Sequence, residues 1–170
     1  MRVRELVEEM ITLSDNLATN LLILRAGGPE AVTSCARGHG AERSGVRRYI
    51  MDTQAFNEGM SSGAFARDFG RTFERLARGE VVSPKASAEM LAVMGRLADR
   101  SMLPGRLPPE ARVAHKTGAI DGVRADVGLV TRPDGRRFVA AFFARGLRDE
   151  KKGEACLSVA ARVLYDFAGH

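Results

Sequence analysis

The sequence predicts an α+β fold, in which a mainly helical part precedes an antiparallel sheet that a C-terminal helix covers. Three observations lead to this class. Apolar residues recur at helical spacing through residues 1–98, three runs of strand length follow between residues 111 and 146, and a helical pattern closes the chain. Elements in this order pack as layers of one α+β domain. With 45% apolar residues, the 170-residue chain fits a single domain, residues 1–170, with one core.

The first two helices flank a polar triplet. Residues 4–13 carry an amphipathic pattern, and residues 15–25 are almost wholly apolar, which predicts a strongly buried helix. Between them lie Ser14, Asp15 and Asn16. These residue types favour N-caps and disfavour helix interiors, so the chain should break and restart there. Alone, the triplet predicts only a capped helix start in apolar surroundings.

A third helix and a long loop follow. Gly27 and Gly28 are suited to end the second helix, and Pro29 to begin the next. Residues 38–61 contain four glycines and predict a loop, with a short helical or extended piece near residues 46–51. Long irregular segments in compact domains are often functional. The loop is therefore a candidate wall of a site.

Two amphipathic helices come next. The first ends at Gly79, and the second is capped by Ser83 and begins at Pro84. Their predicted buried stripes consist of Phe65, Phe69, Phe73 and Leu76 in the first helix and Met90, Leu91, Met94 and Leu97 in the second.

The apolar pattern then changes to strands. Residues 111–118, 125–131 and 136–146 are the three predicted strands of the meander, and residues 154–169 form the last helix of the part that spans residues 111–170. The first strand ends with Lys116, Thr117 and Gly118. A lysine beside a hydroxyl can bind a carboxylate, and the glycine lets a ligand approach the backbone N–H of Ala119.

Composition excludes several function classes. The net charge is +5, but the arginines are scattered among acids, aromatic residues make up 6% of the chain and there is no Trp, so no nucleic-acid partner is predicted. Cys35 and Cys156 lack disulfide or metal spacing and are expected to be small buried residues. No metal or cofactor is predicted. The N-terminus does not read as a signal peptide, and no apolar stretch is long enough for a membrane span.

The two polar triplets together resemble a known signature. Ser-Asp-Asn, then Lys-Thr-Gly starting 102 residues later, is similar to the motif set of class A serine β-lactamases and penicillin-binding proteins. The similarity extends to residues 4–40, 79–94 and 113–130, and so to nearly the whole chain. It implies a β-lactamase/transpeptidase-like fold, opening of β-lactams or related amides and esters through an acyl-serine, and hence antibiotic resistance by β-lactam catabolism. The family uses no cofactor and is usually periplasmic or secreted.

The resemblance also implies roles for particular residues. Ser14 would relay a proton to the leaving nitrogen, and Lys116 would bind the substrate carboxylate and help set the proton network. The residues implied in substrate binding are Asn16, Asn57, Thr117, Gly118, Ala119, whose N–H would be half of an oxyanion hole, and Arg124, a further carboxylate anchor.

Two departures qualify this prediction. The family's nucleophile lies in a Ser-x-x-Lys pair before the Ser-Asp-Asn triplet, and neither the thirteen residues before Ser14 nor the rest of the chain contains that pattern. The N-terminal strands and the nucleophile helix of the fold are therefore expected to be missing, either by truncation or because a separate N-terminal segment is the partner. Their absence would leave residues 138–144 as an open apolar edge. The second departure is in the loop, where the family's deacylating enzymes carry a glutamate that activates the hydrolytic water, a few residues before an asparagine. Here no glutamate precedes Asn57 within residues 51–57, and Glu58 follows the asparagine instead.

Several alternatives stay open. The loop fits a slow hydrolase, a penicillin-binding esterase or an acylating relative, and a chain without its nucleophile fits a non-catalytic penicillin- or peptide-binding module or partner protein. Cys35 and His39 have the spacing of a thiol and its base, but no third group orients them. His115 is expected to be a packed or hydrogen-bonded strand residue.

Overall fold

The computed structural model describes residues 1–169 and has the predicted α+β architecture. Residue 170, the last of the predicted domain, lies outside the described part. The elements are α1 (Val3–Thr12), α2 (Asn16–Arg25), α3 (Pro29–Gly38), α4 (Thr53–Asn57), α5 (Ala66–Arg78), α6 (Pro84–Met94), β1 (Arg112–Ile120), β2 (Val123–Thr131), β3 (Arg137–Arg145) and α7 (Glu150–Phe167).

The three strands form an antiparallel sheet in the order β1-β2-β3. A two-residue turn, Asp121 and Gly122, joins β1 to β2, and Gly122 adopts the left-handed conformation that such turns need. The pairing places Lys116 opposite Val127 and Val127 opposite Ala141. Because side chains alternate between the two faces of a sheet, these three residues share one face. Within the described residues, β3 pairs with a neighbour on one side only, as the open-edge prediction requires.

The sheet separates two apolar clusters. On one face Val113, Val130 and Ala140 pack under α7 against Ala161 and Tyr165. On the other face Val127 and Leu129 pack against residues of α5 and α6, namely Phe73, Leu76 and Met94. Lys116 lies on the α5 face, in the middle of β1.

The helix boundaries follow the predicted caps. The Ser83 hydroxyl accepts the Ala86 N–H at 3.1 Å, Pro84 begins α6, and Gly79 ends α5 in the left-handed conformation. Of the predicted stripes, Phe73, Leu76, Met94 and Leu97 are buried. Phe65, Phe69 and Met90 are partly exposed instead, because the first two line an open groove and Met90 lines a shallow cleft between α1 and α6.

Three predictions of local structure are wrong. Helix α2 is not strongly buried: Leu17 and Leu24 are 69% and 63% exposed, because no described element covers that face. The short helix of the loop lies at Thr53–Asn57, not near residues 46–51, since the Asp52 carboxylate caps it by accepting the Ala55 N–H at 3.0 Å. Both cysteines are exposed, on the outer sides of α3 and α7. None of the described helices is both long and apolar enough to cross a bilayer.

Candidate functional site

Ser14 lies in the junction between α1 and α2. Its φ of 55° is in the left-handed region, which lets the Asp15 N–H bond back to the Glu9 carbonyl at 3.2 Å and end α1. The Asp15 carboxylate then caps α2 by accepting the Ala18 N–H at 2.6 Å. A residue other than glycine rarely has this conformation, which concentrates at functional sites. The junction thereby projects the exposed Ser14 hydroxyl out of both helices.

The fold brings the two polar triplets into contact. The Lys116 ammonium on β1 donates a hydrogen bond to Ser14 Oγ and a second one, of 2.9 Å, to the Thr117 carbonyl. The lysine thus holds the hydroxyl by its acceptor side, which leaves the Ser14 proton free to be donated elsewhere.

An apolar groove of about 900 Å³ opens beside this pair. Its walls come from α5, β2 and β3, and they include Phe69, Phe73, Val127 and Phe143. Lys116 lies among its lining residues, so a charged group meets a largely apolar surface there.

Two opposing effects act on the pKa of Lys116. Burial lowers the pKa of the Lys116 ammonium, while the negative charges of Asp126 and Asp99 oppose that shift without cancelling it. Asp99 is in turn a stable anion. Burial would raise its pKa, but hydrogen bonds from Ser101 outweigh that effect and lower it.

The imidazole of His115 and the carboxylate of Asp126 are buried on the sheet face opposite Lys116. His115 and Asp126 are 1% and 0% exposed, and His115 Nδ1 is 2.9 Å from Asp126 Oδ1. His115 was predicted to be a hydrogen-bonded strand residue, which this contact confirms. The importance of Asp126 and Asp99 was missed. For Asp126 a signal existed, because it is a lone acid within an otherwise apolar strand.

Four of the remaining candidate residues lie close to Ser14 or Lys116 in sequence. Thr117, Gly118 and Ala119 follow Lys116 on β1 and line the groove. Asn16 is exposed at the first residue of α2, two positions after Ser14.

Arg124 lies on the sheet face opposite Lys116. It faces α7, where its guanidinium donates to the Glu154 carboxylate at 2.8 Å and to that of Glu150. Arg124 is therefore ion-paired and is not in contact with Ser14 or Lys116.

The long loop is fastened at two points. The side chain of Asn20 bonds the backbone of Ile50, and the buried Asp68 carboxylate accepts the N–H groups of Arg43 and Ser44 at 2.7 and 2.6 Å. Asn57 is exposed at the last residue of α4. Neither Asn20 nor Asp68 was predicted to be a site residue. Among the residues that the structure describes, no cluster of three or more His, Cys, Asp or Glu side chains is placed to hold a metal ion.

Known proteins resemble the chain over nearly its whole length. The sequence model of the "Beta-lactamase enzyme family" matches residues 1–168. A β-lactamase of Streptomyces fradiae is 33% identical over 170 residues, which are 96% of this chain and 55% of that protein. The crystal structure of a β-lactamase from Sphaerobacter thermophilus superposes with a TM-score of 0.90 at 29% identity, and the match covers 99% of this chain and 64% of the other.

A penicillin-binding relative is also similar. A mutant of PBP-A, solved as an acyl-enzyme complex with penicillin G, matches with a TM-score of 0.89 at 30% identity. The match covers 98% of this chain and 61% of that one. The chain thus spans between 55% and 64% of the length of these relatives.

Proposed function

The chain belongs to the beta-lactamase enzyme family, and from that premise we propose that it supplies the proton-relay and carboxylate-binding half of a serine hydrolase that opens β-lactam rings. The observation that carries the proposal is the hydrogen bond between Lys116 Nζ and Ser14 Oγ. It joins the two motifs that the sequence analysis connected only by resemblance.

The contact suits a relay of protons to a leaving nitrogen. When a serine oxygen attacks the β-lactam carbonyl and the C–N bond breaks, the nitrogen needs a proton. Ser14 can donate its hydroxyl proton and recover one from Lys116. Because burial lowers the pKa of Lys116, the ammonium releases its proton more readily than an exposed lysine does.

The free edge of β1 suits substrate binding. Hydrogen-bonded pairs alternate along an antiparallel ladder, so every second residue of an edge strand directs its N–H and C=O away from the sheet. The Thr117 carbonyl accepts the Lys116 ammonium, which supports this orientation for Thr117 and, two residues on, for Ala119. The Ala119 N–H would then donate to the carbonyl oxygen of the substrate, with the substrate carboxylate against Lys116 and Thr117.

We infer that the attacking serine comes from a segment outside these 170 residues, since no Ser-x-x-Lys pattern occurs in them. The groove beside Lys116 supports a helix as its source. Its volume of about 900 Å³ and its apolar walls of Phe69, Phe73 and Phe143 are suited to the apolar face of a helix that presents its serine to Ser14 and Lys116. An N-terminal segment of this kind is the proposed partner.

A complementation assay tests the proposal. The chain is mixed with a polypeptide that carries the Ser-x-x-Lys helix, either from the coding sequence upstream of Met1 or from the Streptomyces fradiae relative, and hydrolysis of a chromogenic cephalosporin is followed. We expect turnover that is lost in Lys116→Ala and kept in Lys85→Ala, an exposed lysine at the start of α6. A folded complex that is neither acylated nor active would contradict the proposal.

A slow, acylating protein is the second candidate. It is favoured by the loop, where no glutamate precedes Asn57 within residues 51–57 to activate the hydrolytic water, and by the similarity to PBP-A. Mass spectrometry of the complex after penicillin G addition separates the two, because an acylating protein accumulates the adduct and a β-lactamase does not. Reversible penicillin binding without an adduct would instead identify a binding module.

A further inference from the structure

The position of the buried pair His115 and Asp126 follows from the register of β1 against β2. His115 lies opposite Gly128, and Asp126 lies opposite Thr117, so the His115–Asp126 bond runs diagonally across β1 and β2. Asp126 Oδ2 also accepts the Leu103 N–H at 2.8 Å. One carboxylate therefore ties β1, β2 and the segment that precedes β1 together.

Gly128 provides the room for this arrangement. A Cβ at this position would lie 2.6 Å from His115 Cβ and 2.8 Å from the Ala114 carbonyl, closer than carbon and oxygen atoms approach. Glycine at position 128 thus leaves room for the Cβ of His115 and for the Leu103 side chain. Because an ionised carboxylate only accepts hydrogen bonds, Nδ1 of His115 must carry the proton that it shares with Asp126.

We propose that His115 and Asp126 are positioning residues that hold Lys116 at the mouth of the groove and keep it an ammonium ion. The pair acts from the opposite face of the strand and touches no substrate. Its imidazole fixes the backbone immediately before Lys116, and its carboxylate supplies a buried negative charge opposite Thr117.

Among the negative charges near Lys116, that of Asp126 is the most shielded from solvent. From the junction of α1 and α2 only the neutral Ser14 hydroxyl reaches the ammonium, and α5 presents apolar side chains. Asp99, in the segment after α6, adds a second negative charge, and Arg145 on β3 lines the far side of the groove. Asp99 is exposed to solvent, whereas Asp126 is fully buried, so salt screens the charge of Asp126 far less.

Lysine NMR tests the electrostatic part. The chain contains four lysines, at positions 85, 116, 151 and 152, so ¹³C-labelled lysine gives four signals, and the one missing in Lys116→Arg is assigned. We expect Asp126→Asn to move the titration midpoint of Lys116 to lower pH. The matched control is Asp68→Asn, which neutralises another buried carboxylate with two backbone hydrogen bonds and should leave that midpoint in place.

A purely structural role would lower stability in both variants and move the Lys116 midpoint in neither. No shift in Asp126→Asn, or an equal shift in both variants, would therefore overturn the proposal.

A measurement on the unaltered chain applies even if Asp126→Asn does not fold. With ¹⁵N-labelled histidine, we expect the Nδ1 proton of His115 to exchange with solvent at least about tenfold more slowly than in free imidazole, because it is buried and bonded. Fast exchange, or an unprotonated Nδ1, would overturn the proposal. Lys116 has its role through the proposed function, but neither measurement needs turnover, so failure of one proposal is distinguishable from failure of the other.

Discussion

The side chain of Asn20 and the backbone of Ile50 exchange two hydrogen bonds across 30 residues of chain. Asn20 Nδ2 donates to the Ile50 carbonyl at 3.0 Å, and the Ile50 N–H donates to Asn20 Oδ1 at 2.8 Å. The amide of Asn20 replaces the strand partner that Ile50 would have in a sheet. The long loop is thereby fixed to α2, the helix that begins two residues after Ser14.

Asn20→Ala should therefore loosen the loop. It removes both bonds and leaves two backbone groups unpaired, which we expect to cost about 1 to 3 kcal/mol of unfolding free energy. Limited proteolysis should also cut the loop faster, while Gln54→Ala, which removes an exposed side-chain bond in the same loop, should change neither quantity measurably. Equal stability of Asn20→Ala and the parent chain in urea would show that the two hydrogen bonds between Asn20 and Ile50 do not stabilise the fold.

The second anchor of the loop predicts a pH dependence. Burial would raise the pKa of Asp68, but the N–H groups of Arg43 and Ser44, the Ser44 hydroxyl and the charge of Arg71 lower it on balance. A carboxyl whose pKa is lower in the folded chain stabilises the fold above its unfolded pKa of about 3.9, and this contribution is lost as the pH falls through the folded value.

Asp68→Asn should accordingly destabilise the chain most at neutral pH. We expect the gap in unfolding free energy between the parent and the variant to narrow as the pH is lowered below about 4. Urea unfolding at a series of pH values measures it. A gap that stays constant down to the lowest pH would mean that the charge of Asp68 contributes nothing.

The close packing of Gly128 against β1 gives a steric prediction. Gly128→Ala places a methyl group against His115 Cβ and the Ala114 carbonyl, and the carbonyl cannot move without breaking the sheet. Overpacking of this kind typically costs about 1 to 3 kcal/mol. Gly38→Ala is the matched control, since no atom lies within 4 Å of the added carbon and the change should be near neutral. Similar midpoints of thermal unfolding for the two variants would contradict the close packing.

Local patterns predicted much of this fold because the physics that sets them is local. The three strands begin and end within two residues of the predicted limits, since alternation of side chains and turn residues is read directly from the sequence. The restart of the helix at Asp15 and the start of α6 at Pro84 follow from capping chemistry in the same way.

Long-range relationships could not be predicted in this way. The contact of Ser14 with Lys116 was expected only through resemblance, because no local rule joins residues 102 positions apart. The diagonal pairing of His115 with Asp126 depends on the register of β1 against β2, which the turn at Gly122 fixes. The exposure of Leu17 depends on which elements are present to cover it, and periodicity alone does not report that.

The two faces of α2 should respond differently to substitution. Ile23 is buried at 6% exposure, and Ile23→Ala should cost about 2 to 5 kcal/mol of unfolding free energy because it opens a cavity. Leu24, its neighbour, is 63% exposed, so Leu24→Glu should change the stability of the chain by less than about 0.5 kcal/mol.

If an added N-terminal segment covers this face, Leu24→Glu buries a charge in the assembled complex and should weaken complementation strongly, since an unpaired buried charge is costly. Titrating the segment against both variants and following cephalosporin turnover measures the effect; tight assembly with Leu24→Glu would place the segment on another surface.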